Sequence, residues 1–124
     1  MVRIKAEPAI SLFLQTVTDR TMKVEDLESR ELIPGTAVRF IHSDRMTVAY
    51  WTFEPAVSLP EHSHPHDQVT NIIEGEFELT IDGEPEILMA GDYRIIPSDA
   101  VHSGRSITAC RIIDVFSPVR EDYR

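Results

Sequence analysis

The chain has 124 residues and a mass of 14.1 kDa, enough for one domain that buries a core without disulfides. A formal charge of −9 and a pI near 4.9 oppose contact with a phosphate backbone, and no basic patch offsets them. A single cysteine excludes an internal disulfide, and no apolar run nears the ~20 residues that span a bilayer; with no basic-apolar-small leader pattern at the N-terminus, a cytoplasmic protein is expected.

In chain order, Ile10 to Val17 has strand character, and Val24 to Leu32 reads as a helical turn or two. Residues 1–35 are therefore expected to form an N-terminal arm, packed on the barrel or on a partner subunit, before a barrel over 36–124. Val38 to Ile41 should pair with Met46 to Phe53 across His42-Ser43-Asp44-Arg45, which places His42 in solvent at a hairpin. Val69 to Ile73 is β-rich, and Glu74-Gly75 can turn it into the next strand. Glu76 to Asp82 alternates cleanly: Phe77, Leu79 and Ile81 share one face, the pattern of a half-buried strand. Asp82-Gly83 follows as a tight-hairpin signal. Glu86 to Met89, Tyr93 to Ile96 and Ile107 to Phe116 complete the series, with prolines between or at the ends of the runs. Cys110 reads as a small strand side chain rather than a redox group. Many short strands without a long helix predict an all-β sandwich or barrel.

The chemistry concentrates in Glu61-His62-Ser63-His64-Pro65-His66-Asp67-Gln68. On a strand, positions i and i+2 share a face, so His62 and His64 aim two imidazoles at one point. Metal–nitrogen bonds of about 2.0–2.1 Å require such convergence. The same spacing also occurs on solvated strands, so the surrounding residues carry the weight. Gln68 and Gly75 follow, and then Gly91, Pro97 and His102. His62, His64, Gln68 and Gly75, followed by Gly91, Pro97 and His102, resemble the two motifs of the cupin superfamily in order, over roughly residues 36 to 118.

That resemblance implies a double-stranded β-helix, or jelly-roll, barrel, often dimeric. It implies one divalent transition metal held by His62, His64, Gln68 and His102, with zinc, nickel, iron, manganese, cobalt and copper not distinguished. Four positions depart from the family pattern. Ala56 stands at a usual glycine, Gln68 at a usual glutamate, Asp99 at a second glycine and Ser106 at a frequent asparagine. His66 is expected at the rim, because Pro65 interrupts the strand. The Gln68 change matters most for the metal. Three imidazoles and an amide leave a divalent ion near +2, which is costly in a partly dry site unless an anion accompanies it. A small anionic organic ligand and Lewis-acid chemistry at a carbonyl or enolate are therefore expected.

On pattern alone, Asp114 either faces the cavity as an acid or base, or else faces solvent or pairs with an arginine such as Arg94 or Arg105. The chain's ending resembles small pectin-degradation cupins, which open unsaturated uronates. Their aspartate, phenylalanine and arginine at the substrate site match Asp114, Phe116 and Arg120. The ligand set is also similar to that of bicupin isomerases acting on prephenate-derived acids. The resemblance thus implies a metal-assisted lyase or isomerase, probed against two rivals, an iron-dependent dioxygenase and a ligand-binding module without turnover.

Overall fold

The computed structural model describes residues 21–124. Nine strands form two antiparallel sheets. They are β1 (Thr36–His42), β2 (Thr47–Phe53), β3 (Ser58–His62), β4 (Asp67–Glu74), β5 (Glu76–Ile81), β6 (Glu84–Met89), β7 (Tyr93–Ile96), β8 (His102–Ser106) and β9 (Cys110–Ser117). One sheet has the order β1-β2-β9-β4-β7, the other β3-β8-β5-β6. This is the all-β jelly-roll barrel the resemblance implies. No helix among the described residues is long and apolar enough to cross a membrane.

The alternating strands form where expected. Phe77 and Leu79 are buried on β5, and Asp82 and Gly83, both with positive φ, make the two-residue connection to β6. Two strands escaped the sequence pattern. β3 contains Pro60 and buries little, which its edge position permits, since an edge proline costs no ladder bond. β8 reads His-Ser-Gly-Arg-Ser, and its buried positions are His102, Gly104 and Ser106, none of them apolar and large. Gly104 is required there, because a Cβ would overlap the Phe77 ring. Ile107 is no strand residue: β9 begins at Cys110, after a bend. Pro85 likewise lies inside the edge strand β6 rather than between strands.

The expectation for Ile10 to Val17 lies outside the described residues. From Val24 to Leu32 there is one 3-10 turn, Val24–Asp26, and then an antiparallel bridge from Arg30 to Val38 on β1. His42 is not free in solvent. It ends β1 half-buried, with Nδ1 2.8 Å from Thr47 Oγ1 and its ring stacked on Phe40.

The barrel interior is graded. Trp51 stacks on Phe53, which meets Phe77 of the opposite sheet, and Ile72, Leu79, Leu88 and Ile112 fill the apolar half. The β4–β9 register then runs Ile72 opposite Ile112, Thr70 opposite Asp114, and Gln68 opposite Phe116. Moving along the barrel, the lining changes from aliphatic to polar within two residue pairs. Burying those polar groups is costly unless they bond to something, so the polar half marks the site.

Candidate metal centre

His62 ends β3, His102 begins β8, and the two are paired across the ladder, with ring centroids 4.2 Å apart. His64 follows in the connection to β4, with its ring 4.9 Å from that of His102. One ligand nitrogen from each of the three lies within 4.8 Å of the others.

The backbone selects which nitrogen faces inward. Nδ1 of His62 lies 2.8 Å from the Pro60 carbonyl, Nδ1 of His64 3.0 Å from that of His66, and Nδ1 of His102 2.9 Å from that of Ala100. A carbonyl only accepts, so each Nδ1 carries the proton and each Nε2 keeps its lone pair. Fixing the tautomer through the far nitrogen is how metal-ligating histidines are normally held. His102 Nε2 is buried without a partner, an orphan that a cation would satisfy.

Gln68 is buried at the start of β4, and its Oε1 lies 3.0 Å from His64 Nε2. Its Nε2 donates to Thr70 Oγ1 over 2.9 Å. With the proton of His64 on Nδ1, an amide oxygen and an imidazole lone pair face each other. A cation between them resolves that contact, so this donor set fits a divalent metal.

Burial lowers the pKa of His102 to about 4, against a weaker rise from its bond to Ala100; burial, then Arg120, lowers that of His64. Both rings are therefore neutral near pH 7, as ligands must be. His66 is not among the three histidines whose ligand nitrogens converge; its backbone carbonyl supports His64 instead.

A cavity of about 320 Å³ opens from the three histidines. Asp114, Phe116 and Arg120 line it together with Gln68, Thr70, Trp51 and Tyr123. Asp114 pairs with neither Arg94 nor Arg105, which lie beside Glu86 and Glu78. Burial pushes its pKa up to about 6, while the polar groups of Thr70 and Gln68, and the Arg120 charge, pull the other way. Its Oδ1 has no hydrogen-bond partner among the described residues. Arg120 is buried; its Nε and Nη2 donate to Asp122 at 2.9 and 2.6 Å. That guanidinium holds the Asp122 pKa below the ordinary carboxylate value. It also lies 4.8 Å over the Phe116 ring and 4.1 Å over that of Tyr123, while the Arg120 backbone N–H donates to Thr47 Oγ1 over 2.8 Å.

Three lining residues were invisible as site residues in the sequence. Thr70 had a usable signal, since it follows Gln68 by two on the same strand. Trp51 reads only as a core aromatic. Tyr123 belongs to a 3-10 turn, Glu121–Tyr123, that no periodicity announces.

Residues 49–116, more than half of the chain, match the family described as the cupin domain. The chain belongs to the cupin family. This cupin is 33% identical over 81 residues to the pectin degradation protein KdgF of Dickeya dadantii, covering 64% of this chain and 74% of that one. The solved structure of KdgF from Halomonas sp. superposes with a TM-score of 0.76 at 25% identity, covering 81% of this cupin and 94% of the other chain. A shorter stretch of 50 residues is 40% identical to quercetin 2,3-dioxygenase of Bacillus subtilis, covering 40% of this cupin and 14% of that enzyme.

Two departures from the family pattern have backbone explanations. Ala56 and Asp99 both adopt positive φ, 62° and 66°, where the family uses glycine. Aspartate tolerates that region better than alanine does. Ser106 is fully buried; its Oγ donates to the Glu54 carbonyl over 2.6 Å and accepts from the Val57 N–H over 2.9 Å, which ties β8 to the β2–β3 connection.

Proposed function

We propose that this cupin is a metal-dependent lyase or isomerase acting on a small carboxylated substrate of the unsaturated-uronate class. The observation that carries the reading is a buried carboxyl, Asp114, and a buried guanidinium, Arg120, in one cavity with three histidines and a neutral amide. The similarity to a protein named for pectin degradation supports the uronate class.

His62, His64, Gln68 and His102 would hold a divalent transition metal, which supplies Lewis acidity at a carbonyl or enol oxygen. Arg120 keeps guanidinium N–H groups beyond the two that Asp122 engages, and these bind the substrate carboxylate. Phe116 walls the cavity and excludes water beside that ion pair. Asp114, with a pKa near neutrality, holds the proton that a ring-opening tautomerisation must move between oxygen and carbon. A neutral ligand shell leaves the centre demanding an anion, and an acid substrate meets that demand.

We also infer that two copies pair through the outer face of the five-stranded sheet. Ile73, Tyr93 and Ile95 stand exposed there, 45%, 66% and 54% accessible. The arm of residues 1–35 would help cover that assembly, in the cytoplasm. Light scattering on the eluted protein tests the dimer, a monomer mass being the contrary result.

The test of function is turnover of unsaturated uronate monomers by protein loaded with each of several metals, followed as loss of the ultraviolet absorbance of the conjugated acid. A linear keto-sugar product is expected. Oxygen uptake with Fe(II) and substrate would replace this reading by a dioxygenase. Saturable binding without product under any metal would replace it by a ligand-binding module.

A further inference from the structure

Thr70 joins two parts of the site that are otherwise separate. It follows Gln68 by two on β4, so both side chains enter the barrel, and both are buried, 3% and 7% exposed. Its Oγ1 accepts the Gln68 amide N–H over 2.9 Å. Directly across the β4–β9 ladder stands Asp114, whose Oδ1 lacks a partner among the described residues. Residues opposed on one face have Cβ atoms about 4.5–5.5 Å apart, so the hydroxyl and the carboxyl are neighbours.

A hydroxyl has one proton to give. Given to Asp114, it leaves the Thr70 lone pairs for Gln68 Nε2. The amide must then present Oε1 on its other side, where it lies 3.0 Å from His64 Nε2. That histidine nitrogen also carries a lone pair, because Nδ1 serves the His66 carbonyl. The opposite arrangement is available to the same atoms. Turned over, the amide would donate Nε2–H to His64 Nε2 and take the Thr70 proton on Oε1. That state caps a ligand nitrogen and aims a donor at the centre, which repels a cation.

We propose that Thr70 is a positioning residue of the metal centre: its hydroxyl accepts the Gln68 amide N–H, with its own proton free to turn toward Asp114 across the ladder, and so fixes the amide with its oxygen toward the histidines. The proposal rests on His62, His64, Gln68 and His102 as the ligands and is independent of the reaction.

Co2+ titration of full-length Thr70→Val and Thr70→Ser, each with its visible absorption bands, tests it. Valine keeps the shape of threonine and removes the hydroxyl. Loss of such an outer partner typically weakens metal binding by about 10–100-fold, so that loss and shifted Co2+ bands are expected for valine. Serine should keep wild-type affinity and bands. In a Gln68→Glu background the carboxylate has an oxygen at either end, so Thr70→Val should cost little. Wild-type affinity and bands in Thr70→Val would overturn the proposal, as would an equal loss in the Gln68→Glu background. If the valine variant does not fold by near-ultraviolet circular dichroism, the wild-type side-chain amide decides. Slow exchange of the Gln68 amide protons in zinc-loaded protein supports it, and solvent-like exchange overturns it. Co2+ bands that survive His102→Ala would remove the ligand reading itself, whereas absent uronate turnover touches only the reaction.

Discussion

Asp114 gives the sharpest test, because its burial makes a prediction about stability that needs no substrate. The perturbation is Asp114→Asn in metal-free protein. Moving an acid from 3.8 to about 6 corresponds to roughly 3 kcal/mol of preference for the neutral form. Between these values the folded chain keeps a proton that the unfolded chain releases. Stability therefore falls as pH rises from about 4 to about 6, and levels off above. His102 has the opposite sign. Its value drops from 6.5 to about 4, so the unfolded chain takes up a proton that the folded chain refuses, and stability falls as pH drops through that window. In the wild type the two slopes largely offset. Asp114→Asn removes one of them and exposes the histidine arm. Urea unfolding of both proteins between pH 4 and pH 7, after dialysis free of metal, gives the difference in free energy at each pH. Relative to the variant, the wild type should gain on the order of 3 kcal/mol on going from pH 7 to pH 4. A constant cost of the buried amide cancels from that slope. A difference that stays flat across the range would refute the burial argument.

Three further outcomes follow from the site and its frame. His62→Ala combined with His102→Ala should abolish bound metal in protein purified without a tag or added metal, read by elemental analysis; unchanged content would mean the ion sits elsewhere. Gln68→Glu should weaken metal-dependent binding of small carboxylates by about tenfold or more, since two like charges about 4 Å apart repel by several kcal/mol at an effective dielectric near 20; equal affinity by calorimetry would end the charge argument. Ala56→Gly should stabilise the fold by about 0.5–1 kcal/mol, because relief of the left-handed alanine, φ 62°, outweighs glycine's extra chain entropy; an unchanged or lower melting temperature would contradict that.

Much of this protein was legible as local pattern. Alternation along β5 placed Phe77 and Leu79 inside, and the Asp82-Gly83 pair made the hairpin; His62 and His64 do converge, but His64 lies past the end of β3 and not on the strand whose repeat of two suggested it. The left-handed backbone at Asp99 was legible from its place at a motif glycine. β3 and β8 were not: their residues are small, polar or proline, and they are strands because β5 offers β8 a ladder and β8 offers one to β3. His42 appeared free from its turn-like neighbours, yet Thr47 and Phe40 hold it. Asp114 could equally have faced outward on sequence alone. The tertiary structure decided it by register, setting Asp114 between Ala49 of β2 and Thr70 of β4 on the inner face, where burial lifts its pKa. Which side chain stands opposite is fixed by the closure of the whole barrel, so no local repeat encodes it, and the pairing of Thr70 with Asp114 emerges only there.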